Sequence, residues 1–269
     1  MTLLNGKIVS DLETQKLIKK VSKLKIKPKL GIVQVGNLPE SNRYINNKIK
    51  KAKEIGIETN LIKFDESIKE IDLIDKIKNL NNNFDGLIVQ LPLPNHLNKK
   101  KVLDSIDCKK DIDCCTTKNA DKFYNDEIIF IPPTANAILL LLNHYEIDLK
   151  DKRILIIGES DLVGKPTKKL LSKFSKYVDS TNKEKGISNS NKYDILIVAA
   201  GSPHLIKKEN VKKDAIVVDV GITVINKKMY GDVDFEDVKN KVIAISPVPG
   251  GVGPLTVICL IKNLVESLI

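Results

Sequence analysis

Tryptophan is absent from this chain of 269 residues, and aromatic residues make up only 4% of it. So few aromatic faces leave little on which bases could stack, which disfavours a single-stranded nucleic-acid platform. Arginine is almost as scarce: Arg43 and Arg153 are the two present, and lysine carries nearly all of a formal net charge of +10. Base and phosphate recognition usually relies on the planar arginine fork, and these lysines are spread among many Asn and Ile residues rather than gathered into a stripe. The positive excess is therefore read as favouring small anionic ligands, not nucleic acid. His96, His144 and His204 lie far apart without ligand spacing, so no metal site is expected. Cys108, Cys114, Cys115 and Cys259 form no C-x-x-C pair, and reduced thiols are expected. No apolar run approaches the roughly 18 residues a membrane-spanning helix needs. The opening MTLLNGKIVSDLET has no basic stretch leading into an apolar core and a small-residue cleavage site. Export and membrane association are not expected, and the cytoplasm is the expected compartment.

What is present is globular: hydrophobic residues are 42% and charged residues 29% of the chain. Its length suits two domains of ordinary size. Short apolar runs alternate with helical periods, the pattern of βαβ units around parallel sheets. A first series predicts strands at 30–35, 58–63 and 86–91 with helices at 41–55 and 68–79. A second predicts strands at 153–157, 177–180, 194–199, 215–220 and 242–245, with a helix at 162–174. Between them Pro132-Pro133 marks a boundary, because the residue before a proline is biased out of the helical region. A buried helix at 137–145 follows it. The last periodic segment, 255–268, comes after a Gly/Pro-rich loop, lacks a strand partner in the second series, and is expected to cross back onto the first domain.

Five segments could carry chemistry. Tyr44 and Lys48 stand four apart on a predicted helix, so a phenol and an ammonium share one face; a solvated face is the plainer reading of that pair. In Gly86-Leu-Ile-Val-Gln-Leu-Pro-Leu-Pro94, Gln90 interrupts an apolar strand near its carboxyl end, where α/β sheets bind ligands. Lys110-Asp-Ile-Asp113 sets two acids after a turn, and by itself reads as a turn or a cap. At 153–166 a strand runs into Gly158, Glu159, Ser160, Gly164 and a helix, an arrangement that aims backbone N–H groups at an anion such as a dinucleotide pyrophosphate. Its glycines are six apart, a variant of the usual fingerprint. Asp179 falls about twenty residues later, at the expected end of the next strand, where an acid would hold a ribose hydroxyl. Finally, the glycines and prolines of 246–256 make a stiff loop whose backbone can approach a flat ligand closely.

Taken together, these segments resemble the bifunctional methylenetetrahydrofolate dehydrogenase/methenyltetrahydrofolate cyclohydrolase family. In order along nearly the whole chain run VG-x-x-x-x-S-x-x-Y-I-x-x-K (35–48), VQLPLP (89–94), KDID (110–113), G-x-S-x-x-VGKP (158–166), DVGI (219–222), GDVDF (231–235) and PVPGGVGPLT (247–256). The resemblance implies two α/β domains, an N-terminal catalytic domain plus a Rossmann-like dinucleotide-binding domain, with a cleft between them, in a homodimer. Residues 1–131 with 255–269 would form the folate-binding catalytic domain, and 132–254 the NAD(P)-binding one. It also implies roles. Lys48 would be the acid/base group of the cyclohydrolase step, Tyr44 would position the pterin, Gln90 would hydrogen-bond Lys48, and Asp113 would anchor the pterin ring. Val89, Leu91, Pro249, Gly250, Gly251, Val252 and Gly253 would line the folate. Gly158, Glu159, Ser160, Gly164, Asp179, Lys183 and Ile222 would hold the dinucleotide. The methenyl bridge is cationic, so a neutral Lys48 is the more useful form when water adds, and burial would favour that form.

The chain also departs from the family pattern. The family usually has arginine where this chain has Glu159, and that arginine commonly meets the 2′-phosphate of NADP. Glu159 and Asp179 would repel that phosphate, with Lys183 offsetting them in part, so NAD is expected over NADP. Cys114 stands where the family has glycine, and Pro133, Ala135 and Ala137 replace usual residues of the segment joining the domains. A cyclohydrolase with weakened dehydrogenase activity, or a non-catalytic folate or dinucleotide binder, stays open from sequence alone.

Overall fold

A computed structural model describes residues 1–226 and 228–269. The chain divides into two compact units: one of Leu12–Pro133 with Val257–Ile269, the other of Met1–Asp11 with Thr134–Thr256. They are called here the small-sheet and large-sheet units. The chain begins with a short strand β1 (Thr2–Leu3) and a helix α1 (Gly6–Val21). It continues through β2 (Lys29–Val35), α2 (Pro39–Ile55), β3 (Glu58–Phe64), α3 (Glu70–Leu80), β4 (Gly86–Val89), α4 (Lys99–Leu103) and α5 (Thr117–Tyr124).

β2, β3 and β4 form a parallel sheet in the order β3-β2-β4. Side chains alternate across a strand, so consecutive apolar residues supply both faces. Leu30, Ile32 and Ile88 join one core with Leu17 and Val21 of α1 and Ile45, Ala52 and Ile55 of α2. Val33, Val35, Leu87 and Val89 join another with Leu73 and Ile77 of α3 and Val102 and Leu103 of α4. The last helix of the chain, at Val252–Glu266, lends Ile258, Leu260, Ile261, Leu264 and Val265 to the first of these cores. An apolar C-terminal helix without a strand of its own is buried in this way.

The chain enters the large-sheet unit at α6 (Pro133–His144), whose first residue is a proline; there the missing N–H costs nothing and φ is preset. Then come β5 (Arg153–Ile157), α7 (Gly164–Leu171), β6 (Tyr177–Thr181), β7 (Ile195–Val198), β8 (Ile216–Asp219), the hairpin β9 (Thr223–Ile225) and β10 (Lys228–Tyr230), α8 (Phe235–Val238), β11 (Ala244–Ile245) and α9 (Val252–Glu266). A wholly parallel six-stranded sheet runs β1-β11-β8-β7-β5-β6. Its chain reverses direction of growth at β5: β6 is laid on one side of it and β7 on the other.

The structure corrects the sequence reading at several points. Residues 1–11 belong with the large sheet rather than with 12–131, because β1 pairs in parallel with β11 and the N–H groups of Gly6 and Lys7 both donate to the Gly250 carbonyl (2.9 and 3.2 Å). The helix expected at 41–55 starts at Pro39, again with proline at its first turn, and ends at Gly56 in the left-handed conformation. The helix expected at 162–174 is shorter, because Val163 lies outside helical backbone at its start and turns close it after Leu171. Val252 and Gly253, assigned to the Gly/Pro-rich loop, are the first residues of α9. The sequence reading assigned neither β1 and α1 nor the β9–β10 hairpin.

Candidate active site

In the small-sheet unit three chain segments bring polar side chains to the carboxyl end of the sheet. Gln90 directly follows β4, and its N–H donates to the Val33 carbonyl of β2 (2.8 Å). Lys48 lies in the third turn of α2, and its ammonium donates to Gln90 Oε1 (3.2 Å). Asp113 completes the cluster, with Oδ2 at 3.9 Å from Lys48 Nζ. The Lys48 side chain is 13% exposed and that of Asp113 27%, so the pair is partly withdrawn from solvent while remaining reachable. Tyr44, one turn before Lys48, is 42% exposed. The Gln90 side-chain amide donates to the Leu91 carbonyl (2.7 Å), which leaves its oxygen turned to Lys48.

The loop of Asp113 is held by Asp111, the first acid of the same motif. Asp111 is fully buried. Its carboxylate accepts from the N–H groups of Cys115 (3.0 Å) and Thr116 (2.9 Å), the Thr116 hydroxyl (2.8 Å) and the Asn119 amide (2.9 Å). Burial pushes its carboxyl above the ordinary range, and the bonds from Thr116 and Cys115 oppose that shift. The tight loop so formed carries Cys114 at φ 56°, the left-handed region that glycine enters freely and cysteine does not. From the other side the Asn263 amide of α9 donates to the carbonyls of Ile112 and Ile131 (both 2.9 Å). An asparagine interrupting the apolar run of α9 was the signal available for it. Burial pushes the Cys114 and Cys115 thiols up, so neither is a ready nucleophile.

The large-sheet unit presents a second candidate region. Ligands in open α/β sheets bind outside the carboxyl ends of strands, at the point where strand order reverses; here that point lies between β5 and β7. Gly158 ends β5 at φ 118°, and a Cβ on it would collide with the Ala199 carbonyl beyond β7. A Cβ on Gly164 would strike the Gly158 carbonyl, so α7 packs directly onto the turn. Ser160 accepts the Val163 N–H through Oγ (3.3 Å). Glu159 follows Gly158 in the turn after β5, and its carboxylate reaches across to the end of β6. It accepts from Ser180 Oγ (2.8 Å), the Asn182 amide (3.0 Å) and the Lys185 ammonium (2.7 Å). The Lys185 and Ser180 bonds hold its carboxyl below the ordinary range, and it stays charged.

Two expected dinucleotide residues are placed differently. Asp179 pairs in register with Leu155, mid-strand, because β6 extends to Thr181; its carboxylate accepts from the Tyr193 hydroxyl (2.9 Å). Lys183 lies in the exposed turn after β6, and Lys185 is the lysine that meets Glu159. Ile222 follows β8 and Gly221, and Gly250 takes φ 109° in the loop before α9. Val89 ends β4, and Leu91 follows Gln90. Among the described residues no helix is long and apolar enough to cross a membrane.

Comparison with known proteins bears on both regions. Residues 4–113 match the family model of the tetrahydrofolate dehydrogenase/cyclohydrolase catalytic domain, and residues 132–269 that of the tetrahydrofolate dehydrogenase/cyclohydrolase NAD(P)-binding domain. The bifunctional protein FolD of Mycoplasma mobile is 52% identical over 270 residues, covering 99% of this chain and 96% of that protein. The bifunctional FolD methylenetetrahydrofolate dehydrogenase/cyclohydrolase of Campylobacter jejuni superposes with a TM-score of 0.96 at 38% identity, covering 100% of this chain and 98% of the other. The Trypanosoma brucei methylenetetrahydrofolate dehydrogenase-cyclohydrolase, solved with NADP cofactor and an inhibitor, gives 0.94 at 28% identity, over 100% and 97%.

Proposed function

This chain belongs to the tetrahydrofolate dehydrogenase/cyclohydrolase family, and from that premise we propose how its own residues perform the two reactions. It is a bifunctional one-carbon folate enzyme. It oxidises 5,10-methylenetetrahydrofolate to the 5,10-methenyl form with NAD(P)+ and hydrolyses that product to 10-formyltetrahydrofolate. The observation that carries the hydrolytic half is Lys48 Nζ standing 3.2 Å from Gln90 Oε1 and 3.9 Å from Asp113 Oδ2. In its neutral form Lys48 takes a proton from water as the water oxygen bonds to the methenyl carbon. The carbon–N5 bond then breaks: N5 takes the proton back from Lys48, the carbinol hydroxyl gives its proton to solvent, and the formyl group stays on N10. Gln90 fixes the amine in place, Asp113 anchors the pterin, and Tyr44 positions it.

The dinucleotide fits the large-sheet unit. Gly158 and Gly164 let the turn after β5 close against Ala199 and α7, where any side chain would collide, and that strand–glycine–helix turn at the point of strand reversal is where a pyrophosphate would be held. When bound, the dinucleotide supplies the nicotinamide carbon that accepts a hydride from the folate methylene. The protein's part is to orient the two and exclude water. Glu159, charged and anchored by three side chains, favours the ribose hydroxyls of NAD over the 2′-phosphate of NADP. The assembly is a homodimer, as the resemblance implies.

One assay tests the whole reading. Methylenetetrahydrofolate is mixed with the protein and either NAD or NADP, and reduced nicotinamide and methenyl absorbance are followed separately. Reduced nicotinamide should form faster with NAD, and added methenyltetrahydrofolate should disappear without any dinucleotide. Hydrolysis without dinucleotide reduction would instead support a cyclohydrolase with a weakened dehydrogenase half, and neither activity would overturn the proposal.

A further inference from the structure

Two motifs, DVGI and GDVDF, lie outside the roles assigned so far except for Ile222, and in the large-sheet unit they interlock. Asp232 is completely buried. Its Oδ2 accepts the N–H groups of Ala200 (2.6 Å) and Gly201 (2.8 Å), and its Oδ1 that of Ser202 (2.6 Å). Asp219, at the end of β8 and 3% exposed, accepts through Oδ1 from Gly221 (3.1 Å) and Asp232 (3.0 Å) and through Oδ2 from Val233 (2.9 Å). Each motif clears space for the other's acid: a Cβ on Gly221 would collide with the Asp232 carboxylate, and one on Gly231 with that of Asp219. Ser246, before the Gly/Pro loop, bonds both the N–H and the carbonyl of Asp219 (2.8 and 3.3 Å).

Burying two carboxylates side by side is expensive, and apolar residues would hold a mere scaffold at lower cost. What the acids achieve is directional. N–H and C=O point opposite ways across a trans peptide, so drawing the Ala200, Gly201 and Ser202 N–H groups onto Asp232 turns the preceding carbonyls away from it. The carbonyl of Ala199 accordingly meets Gly158 across the point of strand reversal. The carbonyls of Ala200 and Gly201, whose peptide partners' N–H groups are held by Asp232, are likewise turned off the aspartate side, as acceptors suited to hydroxyl or carboxamide donors.

We propose that Asp219 and Asp232 are positioning residues for the dinucleotide: together they lock the loop after β7 and the turn after β8 in the form that receives its donor groups. The inference rests on the reading that NAD(P) binds at the carboxyl ends of β5 and β7. The cyclohydrolase step needs no dinucleotide and so serves as an internal control.

The experiment measures Asp232→Asn and Asp219→Asn against the wild type, with dinucleotide KM, dehydrogenase kcat and methenyltetrahydrofolate hydrolysis read on each. The amide keeps the shape but replaces one acceptor by a donor facing the backbone N–H groups. The KM for the dinucleotide should rise at least about tenfold for Asp232→Asn and less for Asp219→Asn, while hydrolysis stays within about twofold of wild type. An unchanged KM in both variants overturns the inference. So does a parallel loss of both activities, or failure of both variants to accumulate, since either marks the acids as general scaffold. A wild type that saturates with neither NAD nor NADP refutes the dinucleotide site itself, a separate failure.

Discussion

The small-sheet unit collects its chemistry from side chains, with Lys48 on a helix meeting Gln90 at a strand end and Asp113 in a loop. The large-sheet unit gathers backbone instead, with three N–H groups converging on each of two buried aspartates and glycines placed where a Cβ would collide. The contrast follows from what each reaction asks. Proton transfer requires a titratable group within reach of the reacting atoms. Hydride transfer between two ligands asks the protein mainly for orientation and a dry site, which well-fixed backbone supplies. The first kind of site should therefore fail by loss of a single group, the second by deformation of a loop.

The sharpest way to test that contrast is Lys48→Met, which keeps the length of the stem and removes the amine. Methenyltetrahydrofolate hydrolysis should fall by about a thousandfold, within the range general acid–base groups contribute. The dinucleotide KM should stay put. Hydrolysis at the wild-type rate would remove Lys48 from the mechanism, and a matching rise in dinucleotide KM would erase the distinction between the two regions.

Next in size is a substitution that makes the small-sheet unit fail as the large-sheet unit does. Asp111→Ala leaves the N–H groups of Cys115 and Thr116 without their acceptor, while the Asn119 amide keeps the carbonyls of Cys108 and residue 111. The cost should be about 3 kcal/mol in urea unfolding, because each orphaned donor loses a full desolvation term. Since that loop carries Asp113, the KM for folate should rise as well. Unchanged stability would mean that water or the Thr116 hydroxyl serves those donors equally well.

The same contrast decides what could be read from residues alone. The cores of β2, β4, β5, β7 and β8 were plain because buried parallel strands are continuous apolar runs. Gln90 stood out because an amide interrupts an apolar strand, whereas Lys48 and Asp113 read by themselves as a solvated face and a turn and were singled out by the family resemblance. β1 was not, because two residues have no period, and only their pairing with β11 makes them a strand. Asp111 was read as a turn acid, which it is, and Asp232 as part of a motif; that both are buried is a property of the fold. Asp179 sits mid-strand rather than at a strand end because β6 runs one residue further than the pattern predicted, to Thr181.

Glu159 is the exception that sharpens the comparison, a side-chain determinant set within the backbone-built region. Ser180, Asn182 and Lys185 fix its carboxylate at the end of β6, where the adenosine ribose is expected, and Lys185 keeps it ionised. A fixed negative charge there repels a 2′-phosphate and accepts from a hydroxyl. Because the site is open to solvent, the discrimination is screened and modest. Glu159→Arg replaces that repulsion by a fork suited to phosphate and sets a second cation beside Lys185. The ratio of kcat/KM for NADP to that for NAD should rise about tenfold, with hydrolysis unaffected. If the ratio does not move, the loop held by Asp232 rather than the side chain at 159 sets the preference, and the large-sheet unit reads its ligand by backbone alone.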